Sequence, residues 1–214
     1  MMHNLAKVGF QQSYTYYLAH HARHPHPVHA ARRADAWKMR AALAATLVPS
    51  YGIYAGYELI EHLPRPGAEE QIDNEKYQYK NRRWADYEPG GPREGQSLAP
   101  YLRTVNEICW AHPALHWLRN LRFHHADDEN VIVFSKSRRI YDRDDVILVV
   151  ANLDPRYTRD TWIHLTMPEL GFDWHDRFVA HDLITGQYWN WAEHTFVRVG
   201  PDTKPVHIVL VQPY

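Results

Sequence analysis

Cysteine is nearly absent: a single thiol, Cys109, rules out an internal disulfide framework and fits a reducing compartment. An excess of charge of either sign is also missing. Twenty-four Lys and Arg face 25 Asp and Glu for a net charge of -1, so no global field draws the chain to nucleic acid or to a membrane surface. No apolar run approaches the ~20 residues that a membrane span needs. The opening "MMHNLAKVGF" has no apolar core of the signal-peptide kind, so a cytoplasmic protein is expected. What is present is a composition 45% hydrophobic over 214 residues, enough for a buried core in one or two domains. Eight tryptophans, 14 tyrosines and 16 histidines stand out. Such rings stack on sugar faces and offer polar edges to hydroxyls, but they also fill cores.

Residues 6–17, "AKVGFQQSYTYY", read as a strand with a polar, tyrosine-rich end. "DAWKMRAALAATLV" offers Asp35 as an N-cap and predicts a helix from about Ala36 to Val48, ended by Pro49. The β-prone run "YGIYAGYEL" (51–59) follows, and strand, helix, strand is the rhythm of a parallel α/β unit. Residues 60–96 form a long polar connection of a length that is uncommon unless functional. Ser97 then caps a second helix, "LAPYLRTVNEICWA", which stops before His112-Pro113 because a residue preceding proline avoids helical geometry. From about Leu115 the pattern changes to short β-prone runs: "LRNLRFHH", "NVIVFSKS", "DVILVVANLD", "DTWIHLTM", "RFVAHDLI", "GQYWNW", "TFVRV" and "VHIVLVQ". Turn-forming segments separate them, and this density of strands predicts an antiparallel β-sandwich. The expected fold class is therefore α/β plus all-β, divided at about residues 1–114 and 115–214.

The segments "LAKVGFQQSYTY" (5–16), "AALAATLVPSYGIYAGYEL" (41–59), "NEKYQYKNRRW" (74–84) and "NEICWAHPAL" (106–115), in this order, resemble the C-terminal part of the maltose-1-phosphate maltosyltransferases. These are bacterial α-glucan-building enzymes of the α-amylase clan. The resemblance implies that residues 5–59 are late elements of a partial (β/α)8 barrel: the sixth strand, the seventh helix (36–48) and the eighth strand (51–59). It further implies transfer of maltosyl units from maltose 1-phosphate to non-reducing ends of α-1,4-glucans, with retention, by a homodimer that needs no cofactor and no metal. Retention requires a carboxylate nucleophile and a second carboxylic acid. In the family both lie upstream of the segments found here, so no catalytic residue is assigned and this chain alone is expected to be inactive. Glu75, Lys76 and Tyr77 match the family loop that reaches over the donor end of the glucan site. Tyr54, Tyr57 and Glu58, after the eighth strand, and Gln12, Ser13 and Tyr14, near the end of the sixth, are further candidates for lining the cleft. Rim packing explains the first three equally well.

"HHARHPHPVHAARR" (20–33) interrupts this resemblance. Here the family carries a third catalytic carboxylate, in a stretch resembling Thr-Pro-Asp-Ile-Leu followed by Gly-Gly. Codons exist for His21–Ala34 that, read one base later, spell Thr-Pro-Asp-Ile-Leu-Thr-Pro-Tyr-Met-Gln-His-Gly-Gly. The wobble bases are free choices in this exercise; the first bases are not, and all agree. A local frameshift joined to a deletion is the expectation, with residues of about 18–34 irregular. As a zinc site, His20, His21, His24, His26 and His29 supply the roughly four ligands needed, but two prolines oppose a preorganised cage. As a nucleic-acid arm the stretch offers only Arg23, Arg32 and Arg33.

Trp162, Trp174, Trp189 and Trp191 suggest either a sugar-stacking surface, and hence a non-catalytic glycan-binding or interaction module, or alternating core aromatics. His181 and Asp182 invite a dyad reading, but no nucleophilic serine or cysteine sits in a recognisable elbow.

Overall fold

The structure, a computed structural model, describes residues 27–53, 55–61, 79–141, 143–201 and 203–214, with the backbone alone for 27–33. Helix α1 spans Pro27–Leu47 and α2 spans Ala99–Ala111. Eight strands follow: β1 Leu121–Ala126, β2 Val131–Ile140, β3 Arg143–Asn152, β4 Arg159–His164, β5 Arg177–Asp182, β6 Tyr188–Ala192, β7 His194–Val199 and β8 Val206–Gln212. They form one sheet in the order β6-β5-β8-β3-β2-β1-β4-β7, and every pairing is antiparallel.

The two strands at the ends of that order, β6 and β7, are consecutive in the chain and separated only by Glu193. So short a connection brings the two edges together and obliges the sheet to curl nearly into a barrel. Alternation sets which side chains face inward. Thr195, Val197 and Val199 of β7 are buried while His194, Phe196 and Arg198 are exposed; Phe178, Ala180 and Asp182 of β5 repeat the pattern. The inward set joins Val146, Leu148 and Val150 of β3, Ile163 of β4 and Trp191 of β6 in one core.

β3 departs from this alternation because it is buried on both faces from Val146 to Asn152. Its outward residues Ile147, Val149 and Ala151, with Phe134 of β2 and Ile208 of β8, form a second core under Met39, Ala42 and Ala45 of α1 and Val105 and Ile108 of α2. The unbroken apolar run "VILVVA" follows from this two-sided cover. Asp145 ties the end of α2 to the sheet: it pairs with His112 at 2.7 Å and accepts the Ala114 N–H at 2.9 Å.

Two expectations are corrected. The eight β-prone runs each carry a strand, but the described residues hold no partial (β/α)8 barrel: the fold is an antiparallel all-β domain with two covering helices. The described residues of 51–59, expected as an eighth parallel strand, form no strand and lead into a 3-10 turn at Tyr57–Leu59. Gly56 at φ 100° and Ile60 at φ 55° bend the backbone there. Tyr57 packs on Trp37 of α1, with ring centroids 4.3 Å apart, and lies beside Leu98 and Leu102. Secondly, α1 begins at Pro27, so residues 27–34 of the stretch expected to be irregular are helical. Proline suits the first helical turn, and alanine and arginine sustain it. Asp35 therefore lies within the helix, paired with Lys38 at 2.9 Å, and does not cap it. Ser97 does meet the start of α2, accepting the Ala99 N–H at 3.0 Å, and α2 stops at Ala111, before His112-Pro113.

Lys136 is 1% exposed beneath the helices, its Nζ donating to the Leu115 carbonyl at 3.3 Å. Burial lowers its pKa from 10.5 to about 8. The unfolded chain binds that proton more tightly, so stability rises as pH passes 8 toward 9. Above 9 the buried Cys109 thiol, raised to about 11, acts in the opposite direction. Lys136→Met is expected to raise stability at pH 7 by on the order of 3 kcal/mol. It should also remove the rise between pH 8 and 9, as checked by urea unfolding across that range.

Candidate functional site

The outer face of β1, β4 and β7 lies beyond the helices and carries exposed chemistry. Register places Asp160 opposite Arg198, Trp162 opposite Phe196, and His164 opposite His194. These rows give an ion pair at 3.5 Å, an edge-to-face aromatic pair with centroids 5.7 Å apart, and a contact of the two Nδ1 atoms at 2.8 Å. On the other side of His164 stands His125 of β1, also in register, with its ring stacked at 5.4 Å. Asp127, two residues beyond His125, brings Oδ1 to 2.9 Å from His164 Nε2 and 3.6 Å from His125 Nε2. Its N–H donates to the Trp162 carbonyl at 3.1 Å, which fixes the backbone at this point.

A cleft of about 340 Å³ opens at the other end of β1, between Trp117, Arg119, Asn120, Arg122, Arg138 and Glu169. The Arg138 guanidinium lies 4.8 Å from the Trp117 ring centroid, and Arg122 pairs with Glu169 at 3.1 Å. A planar indole under a fork of donors can receive a sugar face and its hydroxyls.

A buried pair lies on the inner side. Asp182, fully buried, accepts from Thr185 at 2.7 Å, from the Ile184 N–H at 3.1 Å and from His207 Nδ1 at 3.0 Å. Burial pushes its carboxyl up, but the hydrogen bonds and charge interaction with His207, with those from Thr185 and Ile184, outweigh this and hold it below the ordinary carboxylate value. The arrangement locks the β5–β6 turn to β8.

The sequence candidates separate accordingly. Glu75, Lys76, Tyr77, Tyr54, Gln12, Ser13 and Tyr14 lie outside the described residues, as do His20, His21, Arg23, His24 and His26; His29, Arg32 and Arg33 are placed by backbone alone. Tyr57 is buried, with its hydroxyl donating to the Trp37 carbonyl at 2.6 Å. Glu58 accepts the Gly56 N–H at 3.1 Å, and its carbonyl accepts from Leu98 at 2.7 Å. Both pack the helices together. Trp162 and Trp174 are exposed at 49% and 48%, whereas Trp191 is in the core and Trp189 stacks on it at 5.7 Å. The partner of Asp182 is His207; His181 stacks on Tyr188 instead. Sequence reasoning missed the His125–His164–His194 row because only strand register brings these three residues together.

Comparison with known proteins gives this region a class. Residues 123–211, which hold nearly the whole curled sheet, match the family model described as GLGE, C-terminal. Two relatives come from Streptomyces coelicolor: alpha-1,4-glucan:maltose-1-phosphate maltosyltransferase 2 is 42% identical over 99% of this chain and 35% of its own length. Maltosyltransferase 1 is 38% identical over 99% and 34%. The Mycolicibacterium smegmatis enzyme of that name is 35% identical over 97% and 33%. The chain thus spans about a third of the length of the curated relatives it matches. Nearly the whole chain is thus similar to the C-terminal part of the maltose-1-phosphate maltosyltransferases.

Asp182→Asn is expected to cost about 3 kcal/mol at neutral pH, because it removes the charge that His207 and the turn donors surround. The wild-type carboxylate stabilises the fold above its ordinary pKa near 3.8, and that contribution is lost as pH falls through its lower folded value. Acid unfolding of the variant should therefore depend less steeply on pH below 4, as followed by circular dichroism.

Proposed function

We propose that this chain is the C-terminal part of an enzyme that moves maltosyl units from maltose 1-phosphate to the non-reducing ends of α-1,4-glucans with retention, and that it is inactive alone. The observation that carries this reading is the alignment of 99% of the chain with maltosyltransferases at up to 42% identity. In this reading Glu75, Lys76 and Tyr77 reach the donor end of the glucan site, and the working enzyme is a cytoplasmic homodimer. The nucleophile and general acid that retention requires come from sequence outside this chain.

The altered stretch at about 18–34 fits a local frameshift with an adjoining deletion. The alignment with one Streptomyces coelicolor relative runs over 243 positions, more than the 214 residues of this chain, so that relative carries residues that this chain lacks. Resequencing the gene is expected to show Thr-Pro-Asp-Ile-Leu one base out of frame at His21–His26; any other reading removes the frameshift. Purified chain incubated with maltose 1-phosphate and glycogen should release no phosphate above buffer. Release would show that it holds a catalytic carboxylate pair of its own.

The exposed Trp162–Phe196 pair and the Trp117–Arg138 cleft favour a second reading, a glycan-holding β domain. Under it, glycogen in a native gel retards the chain, and Trp162→Ala or Trp117→Ala weakens the retardation several-fold. Unchanged mobility with and without glycogen would remove this reading.

A further inference from the structure

The row of three histidines on the outer face has a use that maltosyl transfer does not require. His125, His164 and His194 stand directly opposite one another on β1, β4 and β7, and Asp127 closes the row from the β1 side. Residues i and i+2 of an extended chain share a face, and paired residues on neighbouring strands bring their Cβ atoms to about 5 Å. β1, with the residue just past its end, and β4 thus bring two imidazoles and a carboxylate to one point. The donor atoms of His125, Asp127 and His164 all lie within 4.8 Å of one another.

We propose that His125, Asp127 and His164 bind a divalent transition-metal ion of the zinc class, with His194 as the positioning residue. Metal–ligand bonds of about 2.0–2.1 Å in a tetrahedron set ligand atoms roughly 3.4 Å apart. The separations of 2.9 Å and 3.6 Å from Asp127 Oδ1 to the two Nε2 atoms bracket that value. Two imidazoles and one carboxylate select zinc and its first-row neighbours over magnesium and calcium, which take oxygen donors. A fourth position is left for solvent.

The other ring nitrogen of His164 is already engaged. Its Nδ1 meets His194 Nδ1 at 2.8 Å, so an Nδ1–H donated to His194 leaves Nε2 bare and turned toward Asp127. A ligating histidine is oriented in this manner by a partner on its far nitrogen. Glu193 Oε1, 3.7 Å from His194 Nε2, steadies the partner in turn.

The location gives the ion a structural role. β1 and β4 are joined by only two register pairs, His125↔His164 and Ala126↔Ile163, whereas β2 and β3 share ten. An ion held by His125 and Asp127 on one side and His164 on the other clips the sheet together across this narrow seam.

The test uses the full chain with His20, His21, His24, His26 and His29 replaced by glutamine, so that the N-terminal histidines do not compete. Zn2+ is titrated calorimetrically, Co2+ by visible absorption, and thermal unfolding is followed with and without Zn2+. One Zn2+ per chain, a tetrahedral Co2+ band and a raised Tm are expected. His125→Gln and His164→Gln should each lower affinity at least tenfold and abolish the Tm rise. His194→Gln, which leaves all three ligands in place, should lower it by about 10–100-fold. These side chains are largely at the surface, and circular dichroism verifies that each variant is folded. Unchanged Zn2+ affinity in the folded His125→Gln/His164→Gln double variant would overturn the proposal, as would equal stabilisation by Mg2+.

Discussion

The structure depends on burying β3 on both faces. Val146, Leu148 and Val150 look into the curled sheet, while Ile147, Val149 and Ala151 look out toward α1 and α2. An open antiparallel sheet usually leaves one face to water and needs polar residues there. Here that option is closed, because a strand with no polar side chain from Val146 to Ala151 must be covered twice. The helices form that second cover, and their small residues Ala42 and Ala45 let them lie close on it. Lys136 is carried into the same layer at the cost of desolvating its ammonium group, with a backbone carbonyl as acceptor.

Where helix cover ends, function has room. The outer face of β1, β4 and β7 has the same alternating backbone but displays Trp162, Phe196, His125, His164 and His194 in place of a second core. The Trp117–Arg138 cleft opens at the other end of β1. Both exposed candidate sites among the described residues thus lie where α1 and α2 leave the sheet uncovered. The inner pair Asp182–His207 has the residues of an acid–base dyad but is spent on locking a turn.

Much of the β region was legible in the sequence. Runs such as "TFVRV" and "RFVAHDLI" alternate with period two, and turn-forming residues bound them, so local physics fixes each strand. The glycine-punctuated run at 51–59 misled, because β propensity measures fit to a sheet and no sheet is beside it in the described residues. Gly56 in a left-handed conformation turns the chain so that Tyr57 fills the gap between the two helices. The start of α1 was missed since Asp35 is a plausible cap, while Pro27, eight residues earlier, serves the first turn as well. The histidine row was illegible for another reason. Its members are separated by 39 and 30 positions, and a one-residue slip in either register would send a ring to the other face.

Strand order also bears on synthesis. β8 follows the other strands in sequence yet sits between β5 and β3 near the centre of the sheet. A chain emerging from the ribosome can close the β2–β3 hairpin early, but one edge of β3 stays unpaired until Val206–Gln212 emerges. During that interval the strand with the longest unbroken apolar run among the described strands offers an open edge to any other extended chain. The nascent chain therefore stays prone to aggregation until the seven-residue strand β8 is available to cover that edge.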